Sequence, residues 1–180
     1  MSDIPEERLC CGCLFCRVGC EQRIVSDLIE QDSDIEAVAP IKLQYRGREQ
    51  KIERMILFPG YVFVRARSDC NLFRKIRHQY VYRILCDSEH DWRLHGSDET
   101  MVRRLFEIGG VVDRSGAYYE NDRLRIVNGF LKDYEGDIVR VDRRMRTAQI
   151  RVRLLERETK LWLGYELLDA PTARIPDQSG

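Results

Sequence analysis

At 180 residues the chain can hold one medium domain, or a medium domain plus a very small one, and its 43% apolar and 33% charged residues exclude global disorder. Thirty basic and thirty acidic side chains cancel, so the net charge gives no sign of a nucleic-acid partner. No window approaches the roughly 18 consecutive apolar residues of a membrane span, and Asp3, Glu6 and Glu7 ahead of a cysteine-rich run do not lay out a signal peptide. A cytoplasmic protein with no membrane partner is expected.

Residues 9–17 (LCCGCLFCR) form a short apolar run suited to a buried strand, because a free thiol packs as a small hydrophobe. The segment CEQRIVSDLIEQ then places Ile24, Val25, Leu28 and Ile29 on one helical stripe. Residues 38–45 and 56–64 read as strands joined by the polar stretch RGREQKIER, a hairpin with a basic tip. A short helix over 71–78, a strand over 80–86 and a polar loop, DSEHDWRLHG, follow. Ser97 is the expected N-cap of a helix over 98–107, with Asp98 and Glu99 in its first turn and Gly109 and Gly110 ending it. This order predicts an α+β domain over residues 8–110, with helices on the faces of an antiparallel sheet.

Residues 111–119 show no clear period and read as a linker. From Asp122 the pattern turns to short β-branched runs broken by turn residues, which predicts a small five-stranded barrel over residues 120–170. Here charge is unevenly spread: residues 123–160 hold eleven Lys/Arg against six Asp/Glu.

Two segments carry chemistry. In LFPGYVFV, residues 57–64, Pro59 and Gly60 bend the chain while Phe58, Tyr61 and Phe63 supply aromatic surface; alone, it reads as an ordinary aromatic strand after a turn. Preceded by a basic hairpin loop, it resembles the FPGYV signature of the NusG N-terminal (NGN) domain. Residues 122–142 (DRLRIVNGFLKDYEGDIVRVD) resemble a KOW motif, with Gly129 and Gly136 in its turns, and TKLWLGYELL resembles its closing strands. The resemblance covers roughly residues 9–169.

The resemblance implies an NGN α/β sandwich followed by an SH3-like β-barrel, in a monomeric, non-enzymatic transcription elongation factor without a cofactor. It implies that the clamp helices of RNA polymerase are held through Phe15, Phe58, Pro59, Gly60, Tyr61 and Phe63. The basic loop, with Arg46, Arg48, Lys51 and Arg54, would either touch upstream DNA or stay solvated.

Departures from the family pattern redirect the partner. Cys11 and Gly12 stand where first strands usually carry Trp-Tyr, Asn121 replaces the Gly before Asp122, and Phe130 replaces a common Pro. Leu155, Glu156 and Arg157 stand where Phe-Gly-Arg usually helps hold ribosomal protein S10 or Rho, which speaks against both partners. The chain thereby resembles specialised antiterminators such as the RfaH group and, more closely, the LoaP group, whose KOW domain engages an RNA hairpin. The candidate contacts to nascent RNA are Lys132, the predicted turn with Arg143, Arg144 and Arg146, and Arg151 and Arg153, which alternate with Ile150, Val152 and Leu154. A solvated barrel face is the alternative for these residues. A general NusG-type factor coupling polymerase to ribosome or Rho, or a ribosome-associated KOW protein, is the alternative for the whole chain.

Cys13 and Cys16 have C-x-x-C spacing near Cys20, but a structural zinc site usually takes two such knuckles and strand neighbours face opposite ways. No metal is expected. His78, His90 and His95 lack paired spacing, and no phosphate-binding or hydrolase signature is present.

Overall fold

The computed structural model describes residues 9–46, 51–86, 91–155 and 157–169. The chain divides into two compact units, Met1–Val112 with Val152–Thr159, and Asp113–Arg151 with Lys160–Gly180.

In the first unit, β1 (Leu9–Cys16) is the cysteine-rich run and α1 (Glu21–Gln31) the amphipathic helix. Then come β2 (Glu36–Val38), β3 (Ile41–Arg46), β4 (Lys51–Ile56), β5 (Tyr61–Arg67), α2 (Leu72–Lys75), β6 (Val81–Leu85), α3 (Gly96–Glu107) and β7 (Val111–Val112). The main sheet has the order β2-β5-β1-β6, antiparallel throughout, and β4-β3-β7 forms a smaller one. One face of the main sheet buries Leu14, Cys16, Val62 and Val64 with Ile24 and Leu28 of α1 and with Leu72 and Trp92. On the other face Arg65, in register with Cys11, lays its guanidinium 4.9 Å from the Phe106 ring of α3. Thus α3 packs over the face that carries Cys11, Cys13 and Phe63.

Several expectations are corrected in detail. The strand expected over 38–45 breaks at Ala39–Pro40, because proline cannot donate to a ladder. Lys51–Ile56, expected within the polar hairpin stretch, is a full strand. Its residues are largely exposed, including Ile52 and Met55, so no apolar alternation announces it and pairing with β3 holds it. The helix expected over 71–78 is a single turn, with the Asn71 side chain accepting the Arg74 N–H. Helix α3 begins at Gly96, with His95 in the N-cap position and no side-chain cap, so Ser97 is already helical. The loop read as polar buries Trp92 and Leu94, and the Trp92 indole donates to the Cys70 carbonyl at 2.9 Å.

The second unit is built on a curled five-stranded sheet of small-barrel type, ordered β10-β11-β12-β8-β9, of which Val152–Thr159, the end of β11 and the start of β12, group with the first unit. Its strands are β8 (Ser115–Glu120), β9 (Arg123–Ile126), β10 (Ile138–Asp142), β11 (Thr147–Leu154) and β12 (Arg157–Leu167), with a 3-10 segment over Phe130–Asp137. The stretch read as a linker therefore contributes β7 and β8. Asn121 and Asp122 both have positive φ, 45° and 64°, the backbone of a tight hairpin turn that Asn and Asp tolerate. Gly129 has φ 84° and sits against Ser115, whereas Gly136 has no left-handed backbone to explain it. Inside the sheet lie Ala148, Ile150, Leu161, Leu163 and Tyr165.

Burial pushes the Cys11 and Cys16 thiols up to about 11 and raises Cys13 as well. The folded state keeps protons that the unfolded chain releases near pH 9, so this contribution is complete below about pH 9 and is lost as pH rises towards about 11. Thermal melts across that window are expected to show Tm falling, and a Cys11→Ala, Cys16→Ala double variant to fall less steeply.

Candidate functional site

The aromatic residues of the first unit separate into a buried pair and an outward cluster. Phe58 and Phe63 meet edge to face at 5.6 Å and are 4% and 0% exposed, so they lie in the interior instead of on a contact face. Gly60 is buried too, while Pro59 is exposed. Of the residues expected to hold a partner, Phe15 and Tyr61 come together: they are in register across β1 and β5, half-buried, with ring centroids 5.8 Å apart.

A third ring completes the cluster. Between β1 and β6 the register shifts, so that Phe15 faces Arg83 while the next residue, Cys16, faces Val81. Tyr82 is the extra residue of a β-bulge, and the bulge turns it towards the same side as Phe15. Its ring lies 5.5 Å from Phe15 and is 61% exposed, with the Arg83 guanidinium 6.0 Å from the Phe15 ring. Sequence reading missed Tyr82 and Arg83 because strict alternation puts them on opposite faces. The only local signal is the aromatic, basic composition of VYRIL.

A buried carboxylate positions this cluster. Glu21, 2% exposed, accepts the Gly60 N–H at 2.8 Å and the Gly19 N–H at 2.7 Å. The Gly60 carbonyl in turn accepts the Cys16 N–H at 2.9 Å. Gly60 has φ 83°, where a side chain would be strained, so the Pro59–Gly60 turn is bound to the ends of both β1 and α1. Gly12 leaves room for Trp92: a Cβ there would approach the indole to 2.8 Å.

The basic candidates fare unevenly. Arg46 closes β3 and Arg48 lies outside the described residues. Lys51 and Arg54 are exposed on β4 but three positions apart, which puts them on opposite faces of the strand. In the second unit Lys132 donates to the Ile126 carbonyl at 2.8 Å and pairs with Glu135 at 3.1 Å. Arg143 lies 4.5 Å over the Tyr119 ring and donates to both the carbonyl and carboxylate of Asp122. These two side chains are engaged within the fold. Arg144 and Arg146 are exposed in the turn, and Arg151 and Arg153 point outward from β11. Arg140, not expected as a contact, lies over Trp162 at 5.9 Å.

Cys13 and Cys16 face opposite sides of the main sheet, and among the described residues no group of three or more His, Cys, Asp or Glu could hold a metal ion. Among the same residues no helix is long and apolar enough to cross a membrane.

An antiparallel sheet between helices and a curled small-barrel sheet define a protein of α+β class, with an open aromatic cluster in its first unit. The family described as "Transcription termination factor nusG" matches residues 13–108, more than half of the chain. The solved structure described as "Domain interaction in Thermotoga maritima NusG" is similar with a TM-score of 0.51 and 18% identity, over 88% of this chain and 94% of that one. That likeness concerns the fold. No curated protein matches. The chain belongs to the NusG family, whose members are non-enzymatic transcription factors that bind RNA polymerase.

Replacing Glu21 by Gln keeps the shape but puts an amide NH2 against one of two backbone donors. The Glu21→Gln variant is expected to lose about 1–3 kcal/mol in urea denaturation followed by tryptophan fluorescence. An unchanged midpoint would contradict the positioning role.

Proposed function

We propose that this protein is a transcription antitermination factor whose N-terminal domain, residues 8–110, holds the clamp helices of RNA polymerase and whose C-terminal domain, residues 120–170, contacts nascent RNA. The observation that carries the polymerase contact is the outward cluster of Phe15, Tyr61 and Tyr82, placed within the family-matched segment. A half-exposed aromatic patch edged by Arg83, with the exposed Val18 beside Gly60, has the composition of an interface core with a polar edge. Phe58 and Phe63 support the patch from within instead of touching the partner.

The mechanism is linkage: a factor that binds the processive state of the polymerase better than the paused one shifts the population by its differential affinity. Specialisation for selected transcripts is supported by the missing Phe-Gly-Arg and by the basic excess of residues 123–160. Upstream DNA contact by the hairpin would use Arg46, Lys51 and Arg54, with Arg48 lying outside the described residues.

Tyr82→Ala is expected to weaken binding to core RNA polymerase by about tenfold or more, as loss of an aromatic anchor does, while Tm stays near that of the parent. Equal affinity in a folded variant would remove the cluster from the interface. In a run-through transcription assay the full chain is expected to raise read-through on templates carrying its own leader. Equal read-through on unrelated leaders would make it a general elongation factor instead.

A further inference from the structure

The outer face of the second unit's sheet holds a juxtaposition that the arginine turn does not include. On β12, Leu161 and Leu163 are buried, so Trp162 between them turns to the outer face, where it is half-buried. On β10 and β11, Arg140 and Gln149 are in register, on the face opposite buried Ala148 and Ile150. Since β11 lies between β10 and β12, Arg140 reaches across it to place its guanidinium 5.9 Å from the Trp162 ring. Arg151, two residues on from Gln149, and Lys160, two before Trp162, share that face and are exposed.

We infer that this face is a stacking platform for unpaired RNA bases, with Trp162 and Arg140 as its planar surfaces, Gln149 as an amide facing base edges, and Arg151 and Lys160 on the phosphates. The inference deepens the nascent-RNA reading above and rests on it. Any base offers a π-face to an indole or a guanidinium, whereas paired bases within a duplex are already stacked. The charge is complementary: residues 138–151 contain five arginines and one acidic residue, Asp142. The Asp142 carboxylate accepts the Met145 N–H at 2.8 Å, and Glu166, further along β12 on the same side, pairs with Arg114 at 3.6 Å. Asp142 and Glu166 therefore have partners within the fold, while Glu158, exposed on β12 two residues before Lys160, is the further acidic group on this side.

The chain's two tryptophans give the test its readout, because Trp92 is buried in the first unit whereas Trp162 is half-buried on the outer face of the second unit's sheet. The full chain is titrated with a short oligouridylate and with an RNA hairpin duplex, across a salt series. The oligouridylate is expected to quench tryptophan emission, and Trp162→Ala to weaken its binding at least about fivefold, with Trp162→Phe recovering most of the loss. Arg140→Ala is expected to weaken it in the same direction, which keeps the test decisive should Trp162→Ala fail to fold. Binding of the hairpin without quenching, or equal affinity of the Trp162→Ala variant, would overturn the platform and leave the nascent-RNA reading standing. Equal quenching by duplex and single strand would overturn its preference for unpaired bases. Binding of neither RNA at low salt would overturn both readings.

Discussion

The carboxylate of Glu21 is the interaction on which the first unit's working surface depends. A buried carboxylate is tolerable only when hydrogen bonds replace its water, and here two backbone N–H groups from separate turns do so, at a helix N-terminus whose dipole favours negative charge. With Gly60 also accepting from Cys16, the end of β1, the start of α1 and the turn before β5 close on one another. The side chains then follow from the backbone: Phe58 goes inward to Phe63, Pro59 outward, and Tyr61 beside Phe15.

A sheet covered by helices on both faces has little room for a binding surface. Helix α1 covers the Leu14 and Val64 side, while α3 lies over the Cys11, Cys13 and Phe63 side. The row Cys11, Cys13, Phe15 on β1 passes from buried to half-buried, which leaves its aromatic end open. The bulge in β6 enlarges that end. By setting two residues against one, it directs both Tyr82 and Arg83 towards Phe15, where regular pairing would supply only one. An aromatic floor with a cation at its rim is thus a product of backbone irregularity, assembled from three strands distant in sequence.

This explains which parts of the protein were legible in its sequence. Helix α1, strands β1 and β5 and the C-terminal strands bury one face against a core, so periodicity of 3.6 or 2 reports them. Strand β4 escapes because its ladder, and not a buried face, holds it, and Ser115–Glu120 escapes because Ser, Gly and Ala are small enough to be buried without looking apolar. LFPGYVFV reads as a bend followed by an aromatic strand, but the strand expected over 56–64 starts only at Tyr61, after the Pro59–Gly60 turn, and runs to Arg67, and composition does not say which rings face out. That depends on Gly60 and on the β6 bulge. Likewise Trp92 sits in a polar segment, and only the absence of a side chain at Gly12 tells where its indole goes.

In the second unit the same reasoning separates arginines by geometry. Counting charges marks residues 123–160 as basic, yet Arg125 pairs with Glu120, Lys132 with Glu135, and Arg143 with Asp122 while stacked on Tyr119. The Tyr119 hydroxyl meets that of buried Tyr165 at 2.7 Å, so Arg143 lies over a hydrogen-bonded tyrosine pair that fastens β8 to β12. A fork held by a carbonyl, a carboxylate and a ring has its directions fixed by the fold. Arg140, by contrast, lies along an outward indole, an arrangement that leaves two planar surfaces at one face of the sheet. The distinction is between a cation that completes a hairpin and one that extends an aromatic surface, and only the second changes what a flat ligand meets.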